Sequence, residues 1–446
     1  MTGAEWTGPT GRYNAAVDLI ERHLVERANH PAFIDPTRQL SYGALADRVD
    51  RFADTLRKLG IRAEQRVVLI LLDTVDFPVA FWGAIRAGVV AVPVNTLLTA
   101  DQWQYMIDDA RAAAVVVSAP LLDRATPVLD RIRATRDLPV IVAGGPGNGY
   151  LELEALLTAA VPGRPPADTH ADEVAFWLYT SGSTGHPKGA RHMHGSPIAT
   201  AELYGRRVLG IGADDVIFSA AKLFFAYGLG NGMSFPLSVG ATTVLLAERP
   251  TPEAVLATMR SHRPTIFGGV PTLYAGLLAT NELGPGAGSD RLRICISAGE
   301  ALPEEIGLRW RERTGVDILD GIGSTEMLHI FISNRPDDIR YGTSGKPVPG
   351  YQARIVNEHG EPARTGEIGE LLVQGPSAAE GYWNQRDRSR RTFAGQWTHT
   401  GDKYRCDEDG YYCYCGRTDD LFKVSGIWVA PFEVESALVS HPAVAE

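Results

Sequence analysis

Between Thr180 and Gly189 the chain reads TSGSTGHPKG, with three glycines, two serines, two threonines and one lysine in ten residues. A glycine-rich turn offers successive backbone N–H groups to a phosphate, Ser and Thr hydroxyls add donors, and Lys188 supplies charge. The stretch departs from the Gly-x4-Gly-Lys-Ser/Thr phosphate loop, because Lys188 is followed by Gly189 and the glycines are spaced differently. On loop chemistry alone, a solvated surface loop is the alternative. Three distant segments carry further chemistry. GIGSTEMLHI places Thr325 and Glu326 on a glycine turn after an expected strand, THTGDKYRC sets Asp402 on an expected tight turn, and GRTDDLFKVSG sets Arg417 in another. Taken singly, Glu326 reads as a helix-start carboxylate, Asp402 as a turn former and Arg417 as a surface ion-pair partner. Their joint occurrence with the lysine-bearing loop is what points to a nucleotide. His192 and His194 in HMH lack further ligands at metal-binding spacing and read as positions flanking that loop.

These residues need elements to hold them. From residue 67 onward short β-branched runs alternate with amphipathic ones: RVVLILLD, VVAVPV, AAAVVVS and LPVIVAGG read as strands, VAFWGAIRAG as a helix. A second series is expected to open at VAFWLYT and to continue through VIFSA, ATTVLL, TIFGGV, RICISAG and VDILDGIG, with a helix beginning near Ser196. Such alternation predicts βα units around mostly parallel sheets, hence two fused α/β lobes. After about residue 345, YQARIV, GEIGELLVQG and GYYCYCGR are joined by Gly and Pro turns without helices, which predicts a smaller antiparallel β unit.

Composition sets the bounds. At 446 residues, 44% hydrophobic and 22% charged, the chain has ordinary globular usage and length for more than one structural unit. The net charge of −10 is dispersed and no basic stripe occurs, which excludes nucleic acid as an expected partner but allows small anions at a local site. No secretory signal and no apolar run near ~20 residues is present, so a cytoplasmic location away from membranes is expected. Cys295 stands alone, while Cys406, Cys413 and Cys415 lie close together without the second pair a zinc site requires; reduced structural thiols are expected.

Together the TSGSTGHPKG loop, the GIGSTE turn, TGD and GRTDD resemble the adenylate-forming superfamily of acyl- and aryl-CoA synthetases, luciferases and peptide-synthetase adenylation domains. The motif order and spacing match over nearly the whole chain. The resemblance implies an α/β fold in which two α/β lobes and the β unit form a large N-terminal AMP-binding domain at 1–415, followed by a hinge at 416–421 and the start of a C-terminal domain at 422–446. Most of that second domain, with its catalytic lysine, is expected to be missing, leaving a chain that binds ATP, acid or adenylate and adenylates poorly. It further implies that Thr180, Ser181, Gly182, Ser183, Thr184, Gly185 and Lys188 hold the β- and γ-phosphates, and that Thr325 touches the α-phosphate. Glu326 binds Mg2+. Gly299, Glu300 and Ala301 run along the adenine, with Asp320 and Ile322, where many relatives have Tyr. Asp402 accepts the ribose hydroxyls beside Arg417. Asp419 is the hinge and Gly426 lines the pantetheine path.

KLFFAYGLGNG and STEMLHIF resemble the benzoate-CoA ligase branch, placing Phe225, Ala226, Tyr227, Gly228, Gly323, His329 and Ile330 at the acid site. Tyr227 and Ile330 suit a flat slot for a benzene ring, with the small residues leaving room for its edge. His329 reads as a polar handle for the carboxylate or a ring substituent, or as a satisfied core histidine. No aspartate stands in FFAYGLGNG to anchor an α-amino group. The implied reaction converts an aromatic acid, ATP and CoA to an aryl-CoA through an aryl-adenylate. A carrier-protein pantetheine as acceptor, or a non-catalytic ligand-binding relative, are the alternatives.

Overall fold

In a computed structural model, residues 6–182, 185–417, 422–424, 427–429 and 438 are described. Ser183, Thr184, Asp419 and Gly426 lie outside them.

The first lobe is built on an eight-stranded sheet. Arg66–Ile70, Val90–Pro93, Ala114–Ser118 and Val140–Ala143 are its central parallel strands. They are nearly all buried, as expected for strands covered by helices on both faces. Helix Asp76–Arg86 is apolar almost all round and lies in the core, packed on helix Tyr42–Lys58. A Cβ at Gly83 would sit 2.8 Å from Phe52, so glycine there lets the two helices close.

The nine-stranded second sheet carries Val216–Ser219, Thr242–Val244, Ile266–Gly269, Ile294–Ser297 and Ile318–Gly323 in parallel, extended by Ile330–Ser333 and Lys346–Pro347 in the antiparallel sense. A five-stranded antiparallel sheet follows, built on Gln352–Val356, Gly369–Gln374, Trp397–Cys406 and Tyr412–Arg417 with Phe393–Ala394 at one edge. The α/β class, the two lobes and the β unit are as the sequence predicts.

Two placements differ. Val174–Gly182 opens no second series; it pairs in parallel with Val90–Pro93 at Ala91↔Phe176 and completes the first sheet. The N-terminal strand Pro31–Ile34, which the sequence reading does not place, joins the second sheet between Thr242–Val244 and Gln39–Ser41. The lysine-bearing loop also runs directly into an antiparallel return strand, Gly185–Met193, so it is a hairpin tip; the helix Ser196–Thr200 begins only after that strand.

Candidate active site

The candidate residues come from all three sheets: Thr180 and Lys188 from a strand pair of the first, Gly299, Asp320, Thr325 and Glu326 from at or beyond the carboxyl ends of parallel strands of the second, where α/β folds place ligands, and Asp402 and Arg417 from the five-stranded sheet. Ile266–Gly269 ends beside Ile294–Ser297, which pairs Ser297 with Asp320 on Ile318–Gly323. Gly299 adopts φ +99 and turns the chain outward past exposed Glu300 and half-buried Ala301. Thr325 and Glu326 follow on a half-buried turn rather than a helix start. That turn contains Leu328 at φ +66, a left-handed conformation costing about 1–2 kcal/mol for a side chain that is itself 1% exposed. The reversal lets Glu326 face one way and His329 another.

At the phosphate end, the hairpin register sets Thr180 opposite Lys188 and Gly182 opposite Gly185. The Lys188 ammonium lies 4.5 Å from the ring centroid of Tyr382, whose hydroxyl donates to Glu326 Oε1 at 2.6 Å. Burial lowers Lys188 from its ordinary value, while Glu326 opposes that shift. Tyr382 was invisible to motif reasoning: AAEGYWN has no metal-ligand or phosphate-loop spacing, and only the pairing of Gly381–Tyr382 with Arg191 and Ala190 brings it to the lysine strand. For Mg2+, the fitting donor is the Glu326 carboxylate, with Oε1 engaged by Tyr382. The described residues contain no cluster of three or more His, Cys, Asp or Glu that could form a protein cage. One carboxylate plus substrate phosphate oxygens is the donor set Mg2+ usually takes.

Asp402 and Arg417, the expected ribose contacts, are not on tight turns. They are register partners on adjacent strands, and Arg417 Nη1 donates to Asp402 Oδ1 at 3.0 Å. The glycine that suggested a turn, Gly401 at φ +74, bends the strand instead of ending it. Burial pushes Asp402 up to about 6 against the pull of Arg417, and Glu326 adds to the rise. Asp320 is driven by burial to about 8, with Leu302, Ser297 and Gly321 opposing. Burial thus disfavours the ionised form of Asp320. Ile322 is half-buried at the end of the same strand.

The acid segment begins with exposed Phe225, packed on Phe224, and enters helix Ala226–Leu229, which passes into a π-helical turn at Gly230–Ser234. The Tyr227 hydroxyl bridges the carbonyls of Gly269 (3.1 Å) and Ile296 (2.9 Å), locking the ring against two strand ends. His329 is 2% exposed and wedged among Tyr204, Tyr227 and Phe235. Its Nε2 lies 3.2 Å from the Tyr227 carbonyl, and a carbonyl only accepts, so Nε2 carries the proton. Nδ1 is then an acceptor and has no partner among the described residues. Burial lowers His329 to about 3, leaving it neutral. A neutral ring with a bare lone pair does not suit a carboxylate; it suits a donor on the substrate ring.

Two of the small residues are also required by close backbone approach. A Cβ at Gly228 would stand 2.1 Å from the Lys222 carbonyl, and one at Gly323 2.6 Å from that of His329, so both admit backbone. Ala226 and Ile330 are buried alongside.

His192 is fully buried, stacked on Phe176 and held down to about 3 by burial, while His194 Nδ1 accepts from the Ala15 N–H at 3.2 Å. Both are packing residues. Cys295, Cys406, Cys413 and Cys415 are free thiols.

A model of the family described as AMP-binding enzyme matches residues 20–383. The chain belongs to that family. It is 54% identical over 443 residues to a 4-hydroxybenzoate-CoA/benzoate-CoA ligase from Rhodopseudomonas palustris, covering 98% of this chain and 81% of that one. A benzoate CoA ligase from Burkholderia xenovorans superposes with a TM-score of 0.91 at 49% identity, over 97% of this chain and 85% of the other. An anthranilate CoA ligase solved with anthranoyl-AMP superposes at 0.93 with 42% identity, over 98% and 84%. No helix among the described residues is long and apolar enough to cross a membrane.

Proposed function

We propose that this chain activates an aromatic carboxylic acid, benzoate or a substituted benzoate such as 2-aminobenzoate, with ATP, and transfers the acyl group to coenzyme A. In the first step a carboxylate oxygen bonds to the α-phosphorus while the bond to the bridging oxygen of pyrophosphate breaks. In the second the CoA thiol displaces AMP from the mixed anhydride. Both steps demand alignment and charge neutralisation more than covalent help from the protein.

The observation that supports this reading is the linkage of the three groups through Glu326: Tyr382 ties it to Lys188, it acts electrostatically on Asp402 while Arg417 acts on Lys188, and it stands three residues before His329 of the Tyr227/His329 pocket. In it Lys188 and the hairpin from Thr180 to Gly185 grip the β- and γ-phosphates, Thr325 meets the α-phosphate, and Asp402 accepts the ribose hydroxyls. Mg2+ held by Glu326 supplies charge neutralisation when bound. Gly299, Glu300, Ala301, Asp320 and Ile322 border the base. The acid ring lies against Tyr227 and Ile330, with Phe225 at the mouth, and His329 Nδ1 accepts from a ring hydroxyl or amino group. Residues 1–415 form the AMP-binding domain in this scheme, 416–421 the hinge with Asp419, and Gly426 borders the pantetheine path.

ATP–pyrophosphate exchange over a panel of acids, followed by thioester formation with CoA and with a holo carrier protein, tests the proposal. Benzoates are expected to exceed fatty and amino acids, with CoA as the acceptor. Exchange no greater with benzoates than with hexanoate or phenylalanine would overturn it.

A further inference from the structure

Glu326 and Lys188 carry opposite charges at one end of the nucleotide site, yet no ion pair within 4 Å joins them among the described residues. Between them lies Tyr382, 4% exposed, which holds each by a different part of one side chain. Its hydroxyl donates to Glu326 Oε1 at 2.6 Å, and its ring face lies 4.5 Å from the Lys188 ammonium.

The strap that carries it is tied on both sides. Toward the glutamate, Ala379 N–H donates to the Glu326 carbonyl at 2.8 Å and Ser377 Oγ to the Met327 carbonyl at 2.7 Å. Toward the lysine, Tyr382 pairs with Ala190 and Trp383 N–H donates to the Gly189 carbonyl at 2.9 Å. A third tie, Trp383 Nε1 to the Asp109 carbonyl at 2.9 Å, fixes the strap to the first lobe.

We propose that Tyr382 is a positioning residue that sets the Glu326 carboxylate for the metal and the Lys188 ammonium for the phosphates while keeping the two from neutralising each other. A hydrogen bond to one oxygen of a ligating carboxylate fixes its orientation and leaves the other oxygen open, the usual way outer partners support a metal ligand. A cation over a ring face keeps its full charge and its N–H donors for a phosphate, whereas a salt bridge would occupy them. Packing alone does not require the hydroxyl, since a phenylalanine would fill the same space against Phe393 and Lys188.

This inference rests on the nucleotide reading above, so the test separates the two. ATP binding is measured by calorimetry without acid, across Mg2+ concentrations, for wild type, Tyr382→Phe, Tyr382→Leu, Lys188→Ala and the Lys188→Ala/Tyr382→Leu double variant. Tyr382→Phe is expected to keep metal-free ATP affinity within about twofold and to need roughly tenfold more Mg2+ for the half-maximal gain in affinity. Tyr382→Leu is expected to add a loss of metal-free affinity matching that of Lys188→Ala, with the double variant no weaker than Lys188→Ala alone. A wild-type Mg2+ dependence in Tyr382→Phe overturns the inference, as does an equal metal-free loss in the Phe and Leu variants. Should Tyr382→Leu fail to fold, the Phe variant decides by itself. Wild type that binds no ATP at all sinks the nucleotide reading instead.

Discussion

Asp402 carries the clearest residue-scale consequence. Its folded value of about 6 lies above the ordinary carboxylate range because burial outweighs Arg417. If Asp402 accepts both ribose hydroxyls as proposed, the ionised form does so best, and ATP affinity is expected to be full above about 6 and to fall as pH drops through it. Asp402→Asn should weaken ATP by roughly tenfold or more, the worth of hydrogen bonds to a charged group, and abolish the inflection. Calorimetry from pH ~5 to ~8 checks both. Gly230 gives a second case. A Cβ there would meet His329 Cδ2 at 2.3 Å and Phe235 Cζ at 3.0 Å, both rings packed at the start of the π turn. Gly230→Ala is expected to raise KM for the acid about tenfold, leave KM for ATP within about twofold, and cost about 1–3 kcal/mol of stability by overpacking. Steady-state kinetics and denaturant melts read these out. The residues with motif spacing, Lys188, Glu326, Asp402 and Arg417, were legible from sequence. Tyr382 and the His329 tautomer were not, because each depends on a partner brought in by tertiary pairing.

At the scale of elements, the pocket segment meets the other lobe through a shared apolar core and one buried carboxylate. Asp73, 3% exposed at the end of the Arg66–Ile70 strand loop, accepts from the Leu223 N–H at 3.3 Å and lies 4.0 Å from Lys222 Nζ. Lys222 in turn donates to the Leu246 and Glu248 carbonyls. Asp73→Ala removes the acceptor of the buried Leu223 N–H and the countercharge beside Lys222, at a cost of about 1–3 kcal/mol. It is expected to raise KM for the acid through the displaced Phe225–Tyr227 stretch while sparing metal-free ATP binding. Equal losses for acid and ATP would show that Asp73 supports the fold at large. The strands themselves were readable because β-branched runs are local. The sheet to which a strand belongs is not local: Val174–Gly182 has the composition to serve either lobe, and only its pairing with Val90–Pro93 decides. Asp402 was misplaced on a turn for a related reason, since a glycine signals left-handed backbone but not whether the strand resumes after it.

The whole molecule is interlaced. Pro31–Ile34 sits in the second sheet and Val174–Gly182 in the first, so the segment joining the lobes is not what holds them together. A protease site inserted in the exposed stretch 161–166 is expected to yield two fragments that co-elute under native conditions and melt in one transition. Separation of the halves on a sizing column would contradict this.

The same N-terminal strand has a cost in time. Phe33 pairs with Thr243, some 210 residues further along the chain. At roughly 5–20 residues per second of synthesis, an apolar strand waits on the order of ten to forty seconds for its parallel neighbour to be made. During that interval Pro31–Ile34 has only the short Gln39–Ser41 strand to pair with, and a two-stranded hairpin is marginal by itself. The nascent chain is therefore sticky early and relieved late, and slowing translation before Thr243 should lower the soluble yield more than slowing it afterwards.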